Sequence, residues 1–242
     1  MKPVWYAGRD SFWGELWTML HPPYTLMVLS FVTIGAAISP RFSPVIYGAT
    51  LLAYFAGLGV GAHFLDQVPG MGSHYVHHWP TWALWVGGLA GVGVGIGIGI
   101  VGAWLALGAP FLLFVAVQGV AALGYPLAPV FRGIFHRDTF FAISWGALPM
   151  LTSFYAQDRS LTLLAGLIAA ACGAAAALEI HLSRISRARR SAAQAALGAE
   201  SEPPIDRTPS YRSSDRALQL LVAGSALIAG ALLLLLVSVG AL

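Results

Sequence analysis

Residues 87–100 read GGLAGVGVGIGIGI. Glycine alternates with small or branched apolar residues, a period of two that in a soluble domain would describe a strand. The run is longer than ordinary strands, and apolar sequence flanks it from 79 to 104. That length crosses a hydrocarbon core, which takes about 20 residues as a helix. An open strand in hydrocarbon would leave its amides unpaired, whereas a helix satisfies them internally. The stretch is therefore expected to be a spanning helix, with Gly87, Gly91, Gly95 and Gly99 four residues apart along one ridge. Such a ridge lets another helix, or a flat or chain-like lipid, approach the backbone closely.

Composition extends this reading to the whole chain. Apolar residues make up 57% of the 242, charged residues only 10%, and the mean hydropathy is +0.74. A soluble domain carries roughly a quarter charged residues, so much of this surface must face lipid. The basic excess is 13 Lys and Arg against 10 Asp and Glu. Clustered beside apolar spans, it speaks for topology and anionic lipid headgroups and not for nucleic acid. The single cysteine, Cys172, lies in an Ala-rich run, so no intrachain disulfide is available.

Working outward, seven spans are expected, at 23–39, 43–65, 79–104, 109–127, 139–155, 161–182 and 216–242. Pro40, Pro44, Pro69, Pro80, Pro110 and Pro129 punctuate the gaps. The fold class is an all-α, polytopic membrane bundle. Residues 1–22 do not have the pattern of a cleavable signal: Arg9, Asp10 and Glu15 stand among three tryptophans. Phe12, Trp13, Leu16, Trp17 and Leu20 recur at helical spacing, which fits a short helix lying in the headgroup region. Residues 184–215 are rich in Arg, Ser, Ala and Pro and read as a linker, helical at first. Its arginines suit either anionic lipid or a plain stop-transfer signal.

With seven crossings, the N-terminus and loops two, four and six share a side. They hold eleven Lys and Arg, from Lys2 and Arg9 to Arg212 and Arg216, against Arg41 and Arg159 opposite. Basic residues resist translocation, so the N-terminus is expected in the cytoplasm and the C-terminus outside, as in a multi-pass protein of the inner (cytoplasmic) membrane. All seven histidines fall on the cytoplasmic side of this map, with every carboxylate except Asp158. Ionisable groups in a span's terminal turn usually meet a cavity or a partner.

His63 and Asp66, three apart, share a helix face. Such a pair can ligate one metal, form a base with its orienter, or simply stabilise a helix end. His74, His77 and His78 form a His–x–x–His–His string like one histidine box of diiron desaturases, but those enzymes need several boxes. Glu179 and His181 close span six with Arg184 one turn on, where Arg184 can meet a phosphate or pair with Glu179.

The order of features resembles the UbiA-type intramembrane prenyltransferase superfamily. HPPYTLMVLSFVTIGAA (21–37) is similar to its first helix, AHFLDQVPG (62–70) stands where its first aspartate-rich motif falls, and WGALPMLTSFYAQDRSLT (145–162) resembles its fifth helix and turn. The resemblance spans about residues 20–185 and implies a six-span bundle over 23–183. It also implies two carboxylate motifs at a cytoplasmic cavity, with magnesium holding a prenyl diphosphate. On that basis Asp66 and Glu179 are the expected catalytic residues. Arg184, Gly91, Gly95 and Gly99 would bind substrate, and His63, Asp66, Glu179 and His181 would ligate a divalent metal. The mixed nitrogen–oxygen set suits zinc, iron or manganese. Three functions follow: an enzyme or carrier acting on a polyprenyl or quinone-type lipid, a non-catalytic accessory or lipid-binding subunit of a larger membrane complex, and a histidine-ligated metal or haem redox protein.

Overall fold

The computed structural model describes residues 4–71, 76–131, 133–135, 137–198 and 211–238, and every regular element among them is helical. A short helix α1 (Phe12–Met19) begins at Ser11, whose side chain accepts from the Gly14 amide at 3.2 Å. Trp13 and Trp17 are exposed on it while Glu15, Thr18 and Met19 turn inward, as expected of a helix at a membrane interface. The chain then turns at His21, in the left-handed region at φ 46°, and two prolines open α2 (Pro22–Ala37). Proline suits a first turn, where its missing amide has no intrahelical partner to lose. The two helices meet at a 42° bend.

α2 is the axis of the bundle, and twelve of its sixteen residues are buried. Gly35 allows the closest approach: a Cβ there would lie 2.2 Å from the Met150 carbonyl oxygen. Next come α3 (Pro44–Asp66), α4 (Thr81–Leu107), α5 (Phe111–Gly124), α6 over residues 138–158, α7 (Leu163–Gly198) and α8 (Tyr211–Ser238). α3 is anchored where the Ser43 amide donates to Gln157 Oε1 at 2.7 Å. It widens to π-helical winding over the glycine-rich Phe55–Ala62, and α6 does so over Ala142–Ala147. In α6 the cause is Pro149, whose ring would collide with the carbonyl four residues back in a regular helix.

All seven expected spans coincide with a helix. Among the described residues, four helices are long and apolar enough to cross a membrane: Pro44–Asp66, Thr81–Leu107, Leu163–Ala192 and Arg212–Ser238; a fifth joins them if the bent α1–α2 pair is one span. The expected span at 109–127 shrinks to Phe111–Gly124, about 21 Å of helix against a core of about 30 Å. Exposed Leu89, Val94, Trp104, Leu113, Leu164 and Leu227 give the bundle an apolar exterior that suits lipid.

The linker reading needs correction. α7 runs unbroken past Arg184 to Gly198, and α8 starts at Tyr211 instead of Arg216, leaving only 199–210 outside the described residues. A buried ion pair between Arg190 and Asp215 joins the two helices, and Ser186 Oγ donates to the same carboxylate at 2.5 Å. Composition marks both charges as solvated because it cannot show that they neutralise each other.

The glycine ridge is a helix contact. A Cβ on Gly91 would sit 2.7 Å from the Ala56 carbonyl oxygen and 2.8 Å from Gly61 Cα, and one on Gly95 would lie 2.8 Å from the Ala53 carbonyl. α3 answers with Gly57 and Gly61, so two backbones meet without side chains between them. Gly91→Leu is expected to force the helices apart at a cost of about 1–3 kcal/mol, read as a fall in the thermal midpoint of the full chain in detergent. Gly93, with nothing within 4 Å, should accept alanine with no such loss.

Candidate functional site

Residues at or near the ends of α2, α3, α5 and α6, with the middle of α7, converge on a cavity of about 410 Å³. α3 brings His63 and Asp66 at its last turn, and α7 brings Ile180, Arg184 and Arg187. His21 and Tyr24 come from the start of α2, Tyr125 and Pro126 from just beyond α5, and Phe141 and Trp145 from α6.

Two imidazoles form one side. His21 and His63 stack with ring centres 4.5 Å apart and planes 19° from parallel. His21 Nδ1 lies 2.7 Å from the Met19 carbonyl, and His63 Nδ1 lies 3.1 Å from that of Gly59. A carbonyl only accepts, so in both rings Nδ1 carries the proton and donates. The opposite side is aromatic: Phe141 stacks on Trp145 at 5.2 Å, and Tyr125 leans on both, at 5.4 and 4.9 Å. At the mouth Arg184 pairs with Asp138 and meets the Tyr125 hydroxyl.

Beneath this cavity lies an apolar one of about 60 Å³, lined by Gly57, Leu58, Gly95, Gly99, Gln118 and Ala122 among others. The two share helices. Ala122 is three residues before Tyr125 on α5, and Leu58 is four before Ala62 on α3, a step of about 5 Å along the axis. Gln118 is the polar marker of the lower cavity: it donates to the Ser144 carbonyl at 3.3 Å and accepts from the Tyr54 hydroxyl at 3.4 Å.

The structure brings His63, Asp66 and Arg184 to one cavity. It does not bring Glu179 and His181 to them. Glu179 is buried in a separate small chamber behind Tyr24, and His181 is exposed on the far face of α7. Helical rotation explains both: a quarter-turn or so per residue carries positions 179 and 181 away from the face that holds 180, 184 and 187. The four-residue ligand set is thus not assembled. Among the described residues Asp66 is the single carboxylate lining the cavity, short of the oxygen-rich shell that magnesium takes. Gly95 and Gly99 do border the lower cavity, whereas Gly91 is filled by α3 backbone.

His74 and His136 lie outside the described residues. His77 and His78 hold the loop after α3 to α1: both backbone amides donate to the Glu15 carboxylate, at 2.8 and 2.9 Å, and His78 Nδ1 donates at 2.9 Å. Asp10, Glu15 and His78 are the one trio of metal-capable side chains within 4.8 Å of each other among the described residues. Three N–H donors already occupy that Glu15 carboxylate, which marks the trio as a latch. Sequence reasoning passed over His21, Tyr24, Tyr125, Trp145 and Arg187 as cavity residues. Arg187, one helical turn from Arg184, was within reach of periodicity; the aromatic residues resemble ordinary core until the helices are placed.

No protein-family model, curated protein or solved structure matches this chain.

The latch is pH-sensitive. Its hydrogen bond to Glu15 raises His78 above the ordinary imidazole range, against a smaller opposing effect of desolvation, with further help from the charges of Glu15 and Asp10. The His78 contribution is therefore complete below about pH 6.5, the ordinary imidazole value, and is lost only as pH climbs through the raised folded-state value. Amides 76–79 should lose hydrogen-exchange protection, corrected for intrinsic rates, on the alkaline side. His78→Gln should make that protection independent of pH.

Proposed function

We propose that this protein is a seven-span bundle of the inner membrane, N-terminus cytoplasmic, that holds a polyprenyl or quinone-type lipid. The ring or headgroup occupies the polar cavity and the tail enters the apolar one below. The observation that carries this reading is the stacking of the two cavities on shared helices, polar above apolar, as an amphiphile requires. Arg184 and Arg187 suit an anionic or carbonyl oxygen, and the Phe141–Trp145–Tyr125 wall suits a flat ring or the first isoprene units. The eleven-to-two split of basic residues supports the orientation, because it puts this mouth toward the cytosol. The tryptophans of α1 suit the headgroup level on that side.

The resemblance to UbiA-type prenyltransferases fits the same placement, since the first motif position, Asp66, lines the mouth. The second position does not reach it, which favours holding such a lipid over magnesium-dependent transfer of it.

Purified full-length protein should therefore bind a polyprenyl phosphate or a short-chain ubiquinone one to one, seen by native mass spectrometry or by quenching of tryptophan emission. Arg184→Ala should weaken the phosphate about tenfold, the worth of one charged hydrogen bond. Binding without release of pyrophosphate from a prenyl diphosphate identifies a carrier or accessory subunit; release identifies a transferase. Failure to bind any member of either lipid class removes the reading.

A further inference from the structure

Glu179 is a carboxyl group in the middle of α7, within a stretch, Leu163–Ala192, long and apolar enough to cross a membrane; it is 2% exposed, and its Oε1 has no hydrogen-bond partner. Such a group is costly and seldom kept without a task. Its chamber, of about 10 Å³, is closed by Val4, Trp5 and Tyr6 from the N-terminal segment, Tyr24 from α2 and Leu218 from α8. The charged residue that shares the chamber is Arg187, which also lines the large cavity, while Arg190 is engaged with Asp215 on the next turn of α7. Ser183 stands one turn above Glu179 on the same face and also lines the chamber.

Tyr24 is the partition between the two spaces. Its ring borders both, and its hydroxyl donates to Ser183 Oγ. Tyr24 and Ser183 are hydrogen-bonded, and Ser183 and Glu179, one turn apart, line the same chamber, so a turn of either side chain would complete a path from the buried carboxyl to the polar cavity.

We propose that Glu179 is the proton store of the polar cavity, exchanging one proton with the molecule held there through Ser183 and Tyr24. In the direction of the present hydrogen bond, a hydroxyl of the occupant gives its proton to the Tyr24 oxygen. Tyr24 passes its own proton to Ser183, and Ser183 passes its own to the Glu179 carboxylate. Both hydroxyls end neutral, Glu179 becomes the acid, and the occupant becomes an oxyanion facing Arg184 and Arg187. After the hydroxyls rotate, the reverse transfer returns the proton and leaves Glu179 a carboxylate beside Arg187. The ligand class this favours is one with an ionisable hydroxyl, such as a phenol or a quinol. That last point rests on the lipid-holding reading; the proton store itself does not.

The test begins with the wild-type chain in liposomes and N,N′-dicyclohexylcarbodiimide, an apolar reagent that converts a protonated carboxyl to a stable N-acylurea. Peptide mass spectrometry should place the adduct on Glu179 ahead of the exposed Asp10, with labelling falling as pH rises and lost in Glu179→Gln. Infrared spectroscopy should show a protonated-carboxyl band that Glu179→Gln removes. In deuterated buffer that band should shift, and Tyr24→Phe should slow the shift about tenfold or more. A wild-type chain with neither adduct nor band at Glu179 overturns the proposal, and a shift unaffected by Tyr24→Phe overturns the route. Neither readout needs a lipid, so Glu179 labelling in a protein that binds no lipid would sink the lipid reading and leave the proton store standing.

Discussion

The contact of α3 with α4 decides where everything else can lie. Hydrocarbon gives helices little hydrophobic reason to meet, so close backbone approach has to supply the attraction. Gly57 and Gly61 on one side and Gly91 and Gly95 on the other remove the side chains that would keep the axes apart. With α3 drawn against α4, its widened π-helical stretch sets the rotation of its last turn. That rotation aims His63 and Asp66 inward, to a place where α7 presents Arg184. The same glycines leave a gap one layer down, which becomes the apolar cavity.

Much of this was legible in the sequence, and for a physical reason. Hydropathy reports on the medium, and the medium forces helices; each expected span falls on a helix among the described residues, four of them long and apolar enough to cross a membrane. Rotation about helix axes is what sequence reports poorly. Glu179 and His181 looked like one cluster with Arg184 because they are near in number, yet a helix turns them to different faces. α6 is harder still, because a proline widens its winding and shifts every residue ahead of it. Tyr24, Tyr125 and Trp145 could not be told from core packing, since an aromatic ring that lines a cavity and one that fills it have the same spacing.

The large cavity and the small chamber divide two kinds of polarity. The first is broad, lined by imidazoles, tyrosines and arginines, and suits a molecule that enters and leaves. The second is closed around one carboxyl. Tyr24 belongs to both, so the hydroxyl of one residue in the first turn of α2 sets how far the two environments communicate. Its position follows from the left-handed turn at His21 and the proline pair that opens the helix.

The pairing of Arg190 with Asp215 bears on biosynthesis. An arginine buried there without its carboxylate would cost several kcal/mol, so the far part of α7 cannot settle while α8 is still unmade. Ribosomes deliver α7 first, and its basic tail must wait, hydrated, for the next helix to arrive. Completion of this end of the bundle is thereby tied to late translation, and truncated products would carry an uncompensated charge that quality-control proteases could recognise.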